Sequence, residues 1–305
     1  MLPRMAHDYH APVLLHDCLE GLNVRSDGTY ADATFGGGGH SRAILAALGP
    51  RGRLIAFDRD ADARANVPDD PRFTLVRADF RWLRNFLDYL DALPLDGLLA
   101  DLGVSSHQFD TGERGFSFRA DAPLDMRMDR RSERTAAGLL RRMDETALAR
   151  VLGRYGEVRG AHKLARRIVQ ARAQSPIATT AQLTAIVRPM APRGQEAGYL
   201  AQVFQALRIA VNDELASLET LLQESTRVLR TGGRLVVISY HSLEDRLVKN
   251  WMRSGDPDGV VRQDLRGNPI RPFEPITRKA ITPTEHEIAM NNRARSARLR
   301  IAERI

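Results

Sequence analysis

Residues 32–40 read Asp-Ala-Thr-Phe-Gly-Gly-Gly-Gly-His, a glycine-rich turn between two apolar segments. The preceding residues 29–33 (TYADA) predict a strand, and residues 41–48 (SRAILAAL) predict a short helix that Gly49-Pro50 ends. Glycines let the backbone approach a ligand closely, and the first turn of a helix leaves N–H groups free. Gly36 and Gly38 fit a G-x-G-x-x-G motif, but its third position is Ser41, so a plain tight turn stays open.

Apolar runs that end in an aspartate repeat along the chain. Residues 53–57 (RLIAF), 73–77 (FTLVR) and 97–100 (GLLA) come before Asp58, Asp79 and Asp101, and residues 234–239 (RLVVIS) form a further run. Continuous apolar strands that alternate with helices, such as residues 82–90, are typical of a parallel sheet covered on both faces. The sequence therefore predicts an α/β fold with a mostly parallel, Rossmann-like sheet.

The strand pattern stops after Asp101. Residues 106–198 contain no convincing strand and predict helices at 135–152, 162–173 and 180–187. We interpret them as a helical domain inserted between core segments 1–105 and 199–305. In the second core segment, apolar residues at helical spacing predict one long helix over 203–229, and residues 293–305 predict a closing edge strand.

Composition narrows the class of protein. The chain has 305 residues, of which 43% are hydrophobic and 27% charged, so it can bury a sizeable core. It has no apolar run of the roughly 20 residues that a bilayer requires, and its N-terminus has no secretory signal. We expect a cytoplasmic protein without a membrane partner.

The charge balance favours a polyanionic partner. The formal net charge is +7, although 42 of the 45 basic residues are arginines, a bias that genomic base composition also produces. The densest basic segment lies within residues 150–172, which carry Glu157 as their one acid. We expect a nucleic-acid surface there, formed by Arg150, Arg154, Arg159, Lys163, Arg166, Arg167 and Arg172.

Acidic residues at the strand ends predict a nucleoside pocket. Asp58 follows Gly36 by 22 residues, a spacing at which an acid can accept hydrogen bonds from ribose hydroxyls, though a solvent-exposed acid is the alternative. Phe80, after Asp79, could lie against an adenine or simply pack in the core. NAD and S-adenosylmethionine both fit these features. The segment from Asp101 to Ser106 offers a carboxylate and two hydroxyls that could hold an amine, with no apparatus for hydride transfer.

Several longer segments resemble one family. They are HAPVLL from His10, DATFGGGGHS from Asp32, AFDRD from Ala56, DGLLADLGVSSHQFD from Asp96, ERGFSFRADAPLDMRMD from Glu113, YGEVRGAHKLARRIV from Tyr155, QALRIAVNDEL from Gln205, SYHSLEDRLVK from Ser239 and RSARLRIAE near the C-terminus. They are similar to the bacterial 16S rRNA cytosine-N(4) methyltransferase family, called MraW or RsmH, nearly from end to end.

The resemblance implies a class I methyltransferase core, with S-adenosyl-L-methionine as methyl donor and 16S rRNA in the small ribosomal subunit as partner. By motif position, the residues implied to bind the donor are Gly38, Gly39, His40, Asp58, Phe80, Asp101 and Gln108. Gly37 stands where many relatives carry a larger residue, a change that a turn should tolerate. The segment 275–300 matches less tightly.

The expected reaction is methylation of a cytosine amine in the decoding region. Acceptors near the amine would favour the charge that develops on its nitrogen, with Asp101 first and Ser105 and Ser106 behind it. His241 could touch the base or take a proton, or it could cap the next helix. The arginines Arg293, Arg295, Arg298 and Arg300 would add phosphate contacts.

Cys18 is the one cysteine, and we predict that it is buried, structural and remote from the cleft motifs. Methylation at carbon 5 of cytosine ordinarily needs an attacking thiolate, so amine methylation fits better. His7, His10 and His16 lack an accompanying acid or thiol cluster, so we expect no metal site.

Three alternatives stay open on the residues alone. A DNA amino-methyltransferase typically has an Asp/Asn-Pro-Pro-aromatic turn where this chain has Asp101-Leu102-Gly103, so we expect no DNA substrate. An NAD-dependent dehydrogenase would explain the glycine turn and Asp58. A non-catalytic RNA-binding or assembly protein would explain the basic segment. A homodimer is possible.

Overall fold

The computed structural model describes residues 12–305. The chain divides into two compact units, one formed by residues up to Gly103 and from Ala216 onward, the other by Val104–Leu215. None of the helices within residues 12–305 combines the length and apolar character that crossing a membrane requires.

The first unit is built on a seven-stranded sheet with the order β3-β2-β1-β4-β5-β9-β8. The first five strands in this order run parallel to one another. β9 runs antiparallel to its neighbours β5 and β8. This confirms the predicted mostly parallel, Rossmann-like class I fold. The strands are β1 Thr29–Asp32, β2 Arg53–Phe57, β3 Phe73–Val76, β4 Leu95–Asp101, β5 Leu229–Ser239, β6 Arg262–Gln263, β7 Pro269–Ile270, β8 Phe273–Pro275 and β9 Arg298–Arg304, of which β6 and β7 form a separate hairpin.

Both faces of this sheet are buried, which explains its continuous apolar strands. Neighbouring residues of β4 enter different hydrophobic clusters: Leu98 packs in one with Ile55, and Leu99 packs in the other with Leu54. A strand covered on both faces has no polar alternation to maintain. The helices α1 Leu15–Leu22, α2 Gly39–Ala47 and α3 Leu83–Tyr89 belong to this unit.

The second unit is helical and has its own hydrophobic core. Its helices are α4 Ser106–Asp110, α5 Ala136–Arg142, α6 Glu145–Gly156, α7 Ala161–Gln174, α8 Thr180–Val187 and α9 Glu196–Asn212. The single helix predicted over 135–152 is wrong. It divides at Met143 and Asp144, where the Asp144 side chain accepts the Ala147 N–H and begins α6.

The long helix predicted over 203–229 is also wrong. The chain forms α9 and then α10, Glu214–Val228, separated by Asp213 with a left-handed φ of 52°. Aspartate adopts this conformation more readily than most residues. The second unit therefore reaches beyond the sequence-based segment 106–198, because Leu207 of α9 packs in the second unit's core while Leu218 of α10 packs in the first unit's core.

The chain finishes in the first unit with α11 Ser242–Ser254, α12 Glu285–Met290 and β9. The tail does form a strand, but β9 is not the edge of the sheet. It lies between β5 and β8, and the short β8 is the outer strand.

Candidate functional site

Three aspartates stand where strands of the parallel sheet end. Asp32 is the last residue of β1, Asp101 is the last residue of β4, and Asp58 follows β2. Burial raises the pKa of all three carboxyls, to about 6 for Asp58 and Asp101. In an open α/β sheet, ligands bind at this carboxyl edge, so the first unit gathers acidic groups where a ligand is expected.

Asp101 has a defined set of partners. The hydroxyl of Tyr240 donates a hydrogen bond of 2.8 Å to its Oδ1, and Nδ1 of His40 lies 3.7 Å from its Oδ2. Its backbone N–H donates to the hydroxyl oxygen of Thr34 at 2.6 Å. Burial raises the pKa of Asp101, while His40 and the Tyr240 hydrogen bond lower it in part. The carboxyl is therefore mainly ionised at neutral pH and close enough to its pKa to take up a proton.

Tyr240 is a site residue that the sequence reasoning missed. It follows directly after β5, and β5 pairs in parallel with β4, whose last residue is Asp101. The adjacency follows from the strand order, which no local sequence pattern gives. Burial and the charge of Asp101 raise the pKa of the Tyr240 hydroxyl well above its usual value, so the hydroxyl stays protonated and acts as a donor.

The glycine turn has no space for side chains at two positions. Gly38 has a left-handed φ of 73° and precedes α2, and a Cβ there would lie 2.8 Å from the ring of Phe35. A Cβ on Gly39 would lie 2.3 Å from Cγ of Pro12. His40 follows, buried, and its Nε2 donates to the carbonyl of Val13 at 3.0 Å. The turn thus packs against Pro12, and the His40 that follows it contacts both Val13 and Asp101.

Asp58 is not a solvent-exposed acid, so that alternative is wrong. Its Oδ2 accepts the N–H of Gly36 at 2.8 Å, and its Oδ1 accepts the N–H of Asp60 at 2.7 Å. Asp58 therefore fixes the glycine turn to the end of β2. Each carboxylate oxygen can accept more than one hydrogen bond, so capacity for ribose hydroxyls remains.

Phe80 opens a short 3-10 helix, Phe80–Trp82, and is half-buried against the core of the first unit. Its neighbour Asp79 has a structural environment: it lies 3.0 Å from Arg59 and accepts the hydroxyl of Ser217 at 3.2 Å. The proposed contact of Phe80 with an adenine stays a prediction.

Ser105 and Gln108 lie in the second unit and form a reciprocal cap at the start of α4. The Ser105 hydroxyl accepts the Gln108 N–H, and the Gln108 amide oxygen accepts the Ser105 N–H, both at 3.2 Å. Ser106 is the first residue of that helix. Roles for these three residues in donor binding or catalysis stay predictions.

His241 caps α11, as the alternative interpretation held. Its Nδ1 accepts the N–H of Glu244 at 3.4 Å, and its Nε2 lies 3.2 Å from Oε1 of the same residue. Since Nδ1 is occupied as an acceptor, the neutral ring carries its proton on Nε2. This environment supports a helix-capping role.

Cys18 is buried, as predicted, at 1% exposure in α1. The expectation that it lies far from the cleft motifs is wrong, since the charges of Asp101 and Asp32 both act on it. Burial first, and then Asp101, raises the pKa of the Cys18 thiol far above its usual value. It is therefore a neutral thiol and not a nucleophilic thiolate.

The phosphate contact expected from Arg300 is wrong. Arg300 is buried and its guanidinium makes two hydrogen bonds to Asp245, at 2.7 and 3.1 Å. Arg298 is mostly exposed and lies 3.6 Å from the same carboxylate. Arg293 and Arg295 are exposed residues of a 3-10 helix, Asn292–Ser296. The arginines of the tail are thus partly structural.

The basic segment of the second unit is mainly exposed. Arg150, Arg159, Lys163 and Arg167 face solvent along α6, α7 and their connection. The others have internal partners: Arg154 lies 5.7 Å from the ring of Tyr155, Arg166 lies 3.3 Å from Glu145, and the half-buried Arg172 donates to the carbonyl of Leu140. His16 is exposed and lies 3.1 Å from Glu20, while His7 and His10 lie outside the described residues.

The residues of the first unit fit the methyl donor expected from the sequence. S-adenosylmethionine carries an ammonium, a sulfonium and ribose hydroxyls, which need hydrogen-bond acceptors and negative charge. Asp58 and Asp101 supply both at the carboxyl edge, and burial of their carboxyls makes a nearby positive charge favourable. Gly36 and Gly38 have left-handed φ values of 50° and 73°, so the turn requires glycine at these positions.

Comparison with known proteins gives a match along most of the chain. The model of the MraW methylase family matches residues 7–305. Three relatives, each named ribosomal RNA small subunit methyltransferase H, come from Parabacteroides distasonis, Cytophaga hutchinsonii and Amoebophilus asiaticus. They are 53%, 55% and 52% identical to this chain, in each case over 97% of it, and the matches cover 98%, 99% and 96% of the relatives.

Proposed function

Because this chain belongs to the MraW methylase family, we propose that it transfers a methyl group to the exocyclic N4 amine of a cytosine in the decoding region of 16S rRNA. The chain is an S-adenosylmethionine-dependent methyltransferase, and its relatives' shared name makes ribosomal RNA its substrate class. The finer part of the proposal is that the methyl group goes to cytosine N4 and that the substrate is the assembled small subunit. The observation that carries it is the half-buried Asp101, held by Tyr240 at the end of β4.

The donor is assigned to the first unit's carboxyl edge. Asp58 would accept from the ribose hydroxyls with lone pairs left free by Gly36 and Asp60. Gly38, Gly39 and His40 would line its amino-acid end. Phe80 would pack near its adenine, and Gln108 would complete the pocket. When bound, the sulfonium supplies an activated methyl group, and the protein's task is orientation.

Asp101 is proposed to act on the acceptor amine. In the reaction the nitrogen gains a carbon–nitrogen bond, the sulfur–carbon bond breaks, and the nitrogen loses one proton. The lone pair of a cytosine amine is delocalised into the ring, so the nitrogen needs an acceptor as positive charge develops. Oδ1 of Asp101 is held by the Tyr240 hydroxyl, which leaves Oδ2 available to accept an N–H. A pKa of about 6 suits the carboxylate to receiving that proton near neutral pH.

Ser105 and Ser106 are proposed as secondary contacts to the base, and His241 as a residue that holds α11 in place beside it. The Ser105 oxygen already accepts one N–H, and a hydroxyl can still donate its proton. His241 has both ring nitrogens near Glu244, which favours orientation over proton transfer.

The state of Cys18 supports methylation of the amine over methylation of carbon 5. A carbon-5 mechanism needs a thiolate that can attack the ring. The single thiol of this sequence is buried and its pKa is raised by burial and by Asp101. It is therefore unsuited to that attack.

The RNA would contact the exposed basic residues of α6 and α7, namely Arg150, Arg159, Lys163 and Arg167. Phosphate contacts by such residues release counterions, so RNA affinity should fall steeply with salt. An affinity that salt leaves unchanged would contradict this assignment.

The test is transfer of labelled methyl from S-adenosylmethionine. Small subunits from cells lacking this protein, protein-free small-subunit RNA and duplex DNA are offered in parallel, and the products are digested to nucleosides. We expect N(4)-methylcytidine from the subunits. An Asp101→Asn variant should bind the donor less tightly and methylate far more slowly. Label in 5-methylcytidine, or in DNA, would contradict the proposal.

A further inference from the structure

A groove in the second unit is not accounted for by the roles assigned so far. It lies between the segment 118–121 and α8, together with the 3-10 helix Arg188–Met190 that continues α8. Its volume is about 400 Å³, a size that accommodates a small ligand or one nucleotide.

Two arginines on the groove have their charge available. Arg119 and Arg188 both line it and both are exposed. Among the side chains that the structure describes, neither guanidinium forms an ion pair, although backbone hydrogen bonds and then the charge of Arg188 lower the pKa of the exposed Glu196. Arginine side chains elsewhere in this unit are commonly paired, as Arg127 is with Asp125 and Arg131 with Asp129. Two unpaired guanidinium groups on one groove favour an anionic ligand, and phosphate above all.

A buried hydroxyl points to the same ligand. Thr184 lies on α8 and lines the groove, it is 9% exposed, and its Oγ1 has no hydrogen-bond partner in the described part of the chain. A buried polar atom without a partner is unfavourable unless a ligand or a water satisfies it. The hydroxyl can donate to a phosphate or base oxygen.

The other polar side chain of the groove is already engaged. The Asp121 carboxylate accepts the Ala181 N–H at 3.1 Å, and hydrogen bonds from Thr179 and from this backbone group lower the pKa of Asp121. It therefore serves the start of α8. On the same side, the half-buried ring of Phe118 packs edge-to-face on Phe204 at 5.4 Å, which fixes an aromatic surface at the groove.

We propose that this groove binds one nucleotide of the single-stranded ribosomal RNA substrate. Arg119 and Arg188 contact its phosphate groups, the Thr184 hydroxyl donates to an oxygen of the same nucleotide, and Phe118 offers a ring to the base. Guanidinium, hydroxyl and aromatic groups together match a nucleotide better than an acidic peptide, which brings no ring to stack. The inference rests on the proposed function, since it assumes an RNA substrate.

The first experiment compares Arg119→Ala/Arg188→Ala with Arg141→Ala/Arg142→Ala. The control removes the same charge from exposed residues of α5 in the same unit. Binding of a fluorescein-labelled, single-stranded decoding-region oligonucleotide is measured over a range of salt concentrations. We expect the groove variant to bind about tenfold more weakly and its salt slope to fall by about 0.7 for each lost phosphate contact. Equal losses of affinity in both variants would mean general electrostatic attraction and would overturn the proposal that the groove binds RNA.

The second experiment leaves the charges in place. Thr184→Val removes the hydroxyl and keeps the side-chain shape, and Ala185→Trp places a large ring in the groove from an exposed position of α8. In methyl transfer to small subunits, both should raise KM with little change in kcat, since the groove touches no reacting atom. Thermal unfolding checks that each variant is folded.

The outcomes separate the two proposals. If the wild-type enzyme is active and the groove variants keep normal RNA binding and a normal KM, the groove does not bind RNA. The methylation proposal would then remain intact. Groove variants that bind the oligonucleotide normally but lose affinity for the intact subunit would indicate a protein contact there, and would also overturn an RNA site. A wild-type enzyme that methylates no RNA would remove the proposed function itself.

Discussion

Replacing Tyr240 with phenylalanine isolates one interaction of the site. The change removes the hydroxyl that donates 2.8 Å to Oδ1 of Asp101 and keeps the ring. A hydrogen bond to a charged group contributes about 1.5–3 kcal/mol, and a neutral acid keeps part of it. A difference of about 1.4 kcal/mol between the two protonation states is one pKa unit. We therefore expect the pKa of Asp101 to rise from about 6 by about one unit.

The sign of the effect on activity follows from the role of the carboxylate. Protonation of Asp101 removes the acceptor, so activity is lost as pH falls through its pKa. A shift from about 6 to about 7 lowers the ionised fraction about fivefold at pH 6 and by only about a tenth at pH 8. The Tyr240→Phe enzyme should therefore be near wild type at pH 8 and several-fold slower at pH 6.

The assay is the pH dependence of kcat/KM for methyl transfer, which reports ionisations of the free enzyme. Asp58 also has a pKa raised to about 6. Its hydrogen bonds come from Gly36 and Asp60, so the part of the pH profile that reports Asp58 should not shift in this variant. Tyr89→Phe is the matched control, because that ring is 85% exposed. An acid limb that does not move, or a loss of equal size at every pH, would refute the positioning role of Tyr240.

Three further outcomes are expected. Arg300→Ala should lower the free energy of unfolding by about 3 kcal/mol, measured by urea denaturation, because it leaves the buried Asp245 without its main partner, whereas Arg298→Ala should change it little. A selective loss of RNA binding in a folded Arg300→Ala variant would contradict its structural role. Asp58→Asn should weaken donor binding about tenfold or more by calorimetry, and unchanged affinity would remove Asp58 from the donor pocket. Cys18→Ser should stay active, and a folded but inactive variant would reopen a thiol mechanism.

Burial of the central strands on both faces explains why much of the first unit could be predicted. Strands buried on both faces are long apolar runs, and each run here is followed by an aspartate or a turn, so β1 to β5 stand out in the sequence. The helix break at Asp213 could not be found in this way. The apolar period continues through it, because α9 and α10 each bury one face, although Leu207 and Leu218 pack in different cores.

The site was predictable where a residue's position in the chain determines its place on the sheet. Asp58 and Asp101 follow strands and were found by that rule. Partners supplied by other elements were not, since no local pattern shows that the Tyr240 hydroxyl meets Asp101 or that Arg300 turns inward to Asp245. Charge counts treat an exposed and a buried arginine alike, which is why Arg300 was wrongly assigned to the RNA.

The raised carboxyl pKa values connect the fold to the choice of ligand. A carboxyl whose pKa is higher in the folded than in the unfolded chain binds more protons when folded, so Asp58 and Asp101 reduce stability as pH rises from about 4 to about 6. At neutral pH the folded chain without ligand therefore holds ionised carboxylates in an environment that disfavours their charge. A positively charged ligand beside them lowers these pKa values and recovers that free energy, and its binding should release protons below about pH 6. The demethylated product keeps the ammonium but has lost the sulfonium charge, so the acidic strand ends should favour the methyl donor over its product, which leaves more readily after the reaction.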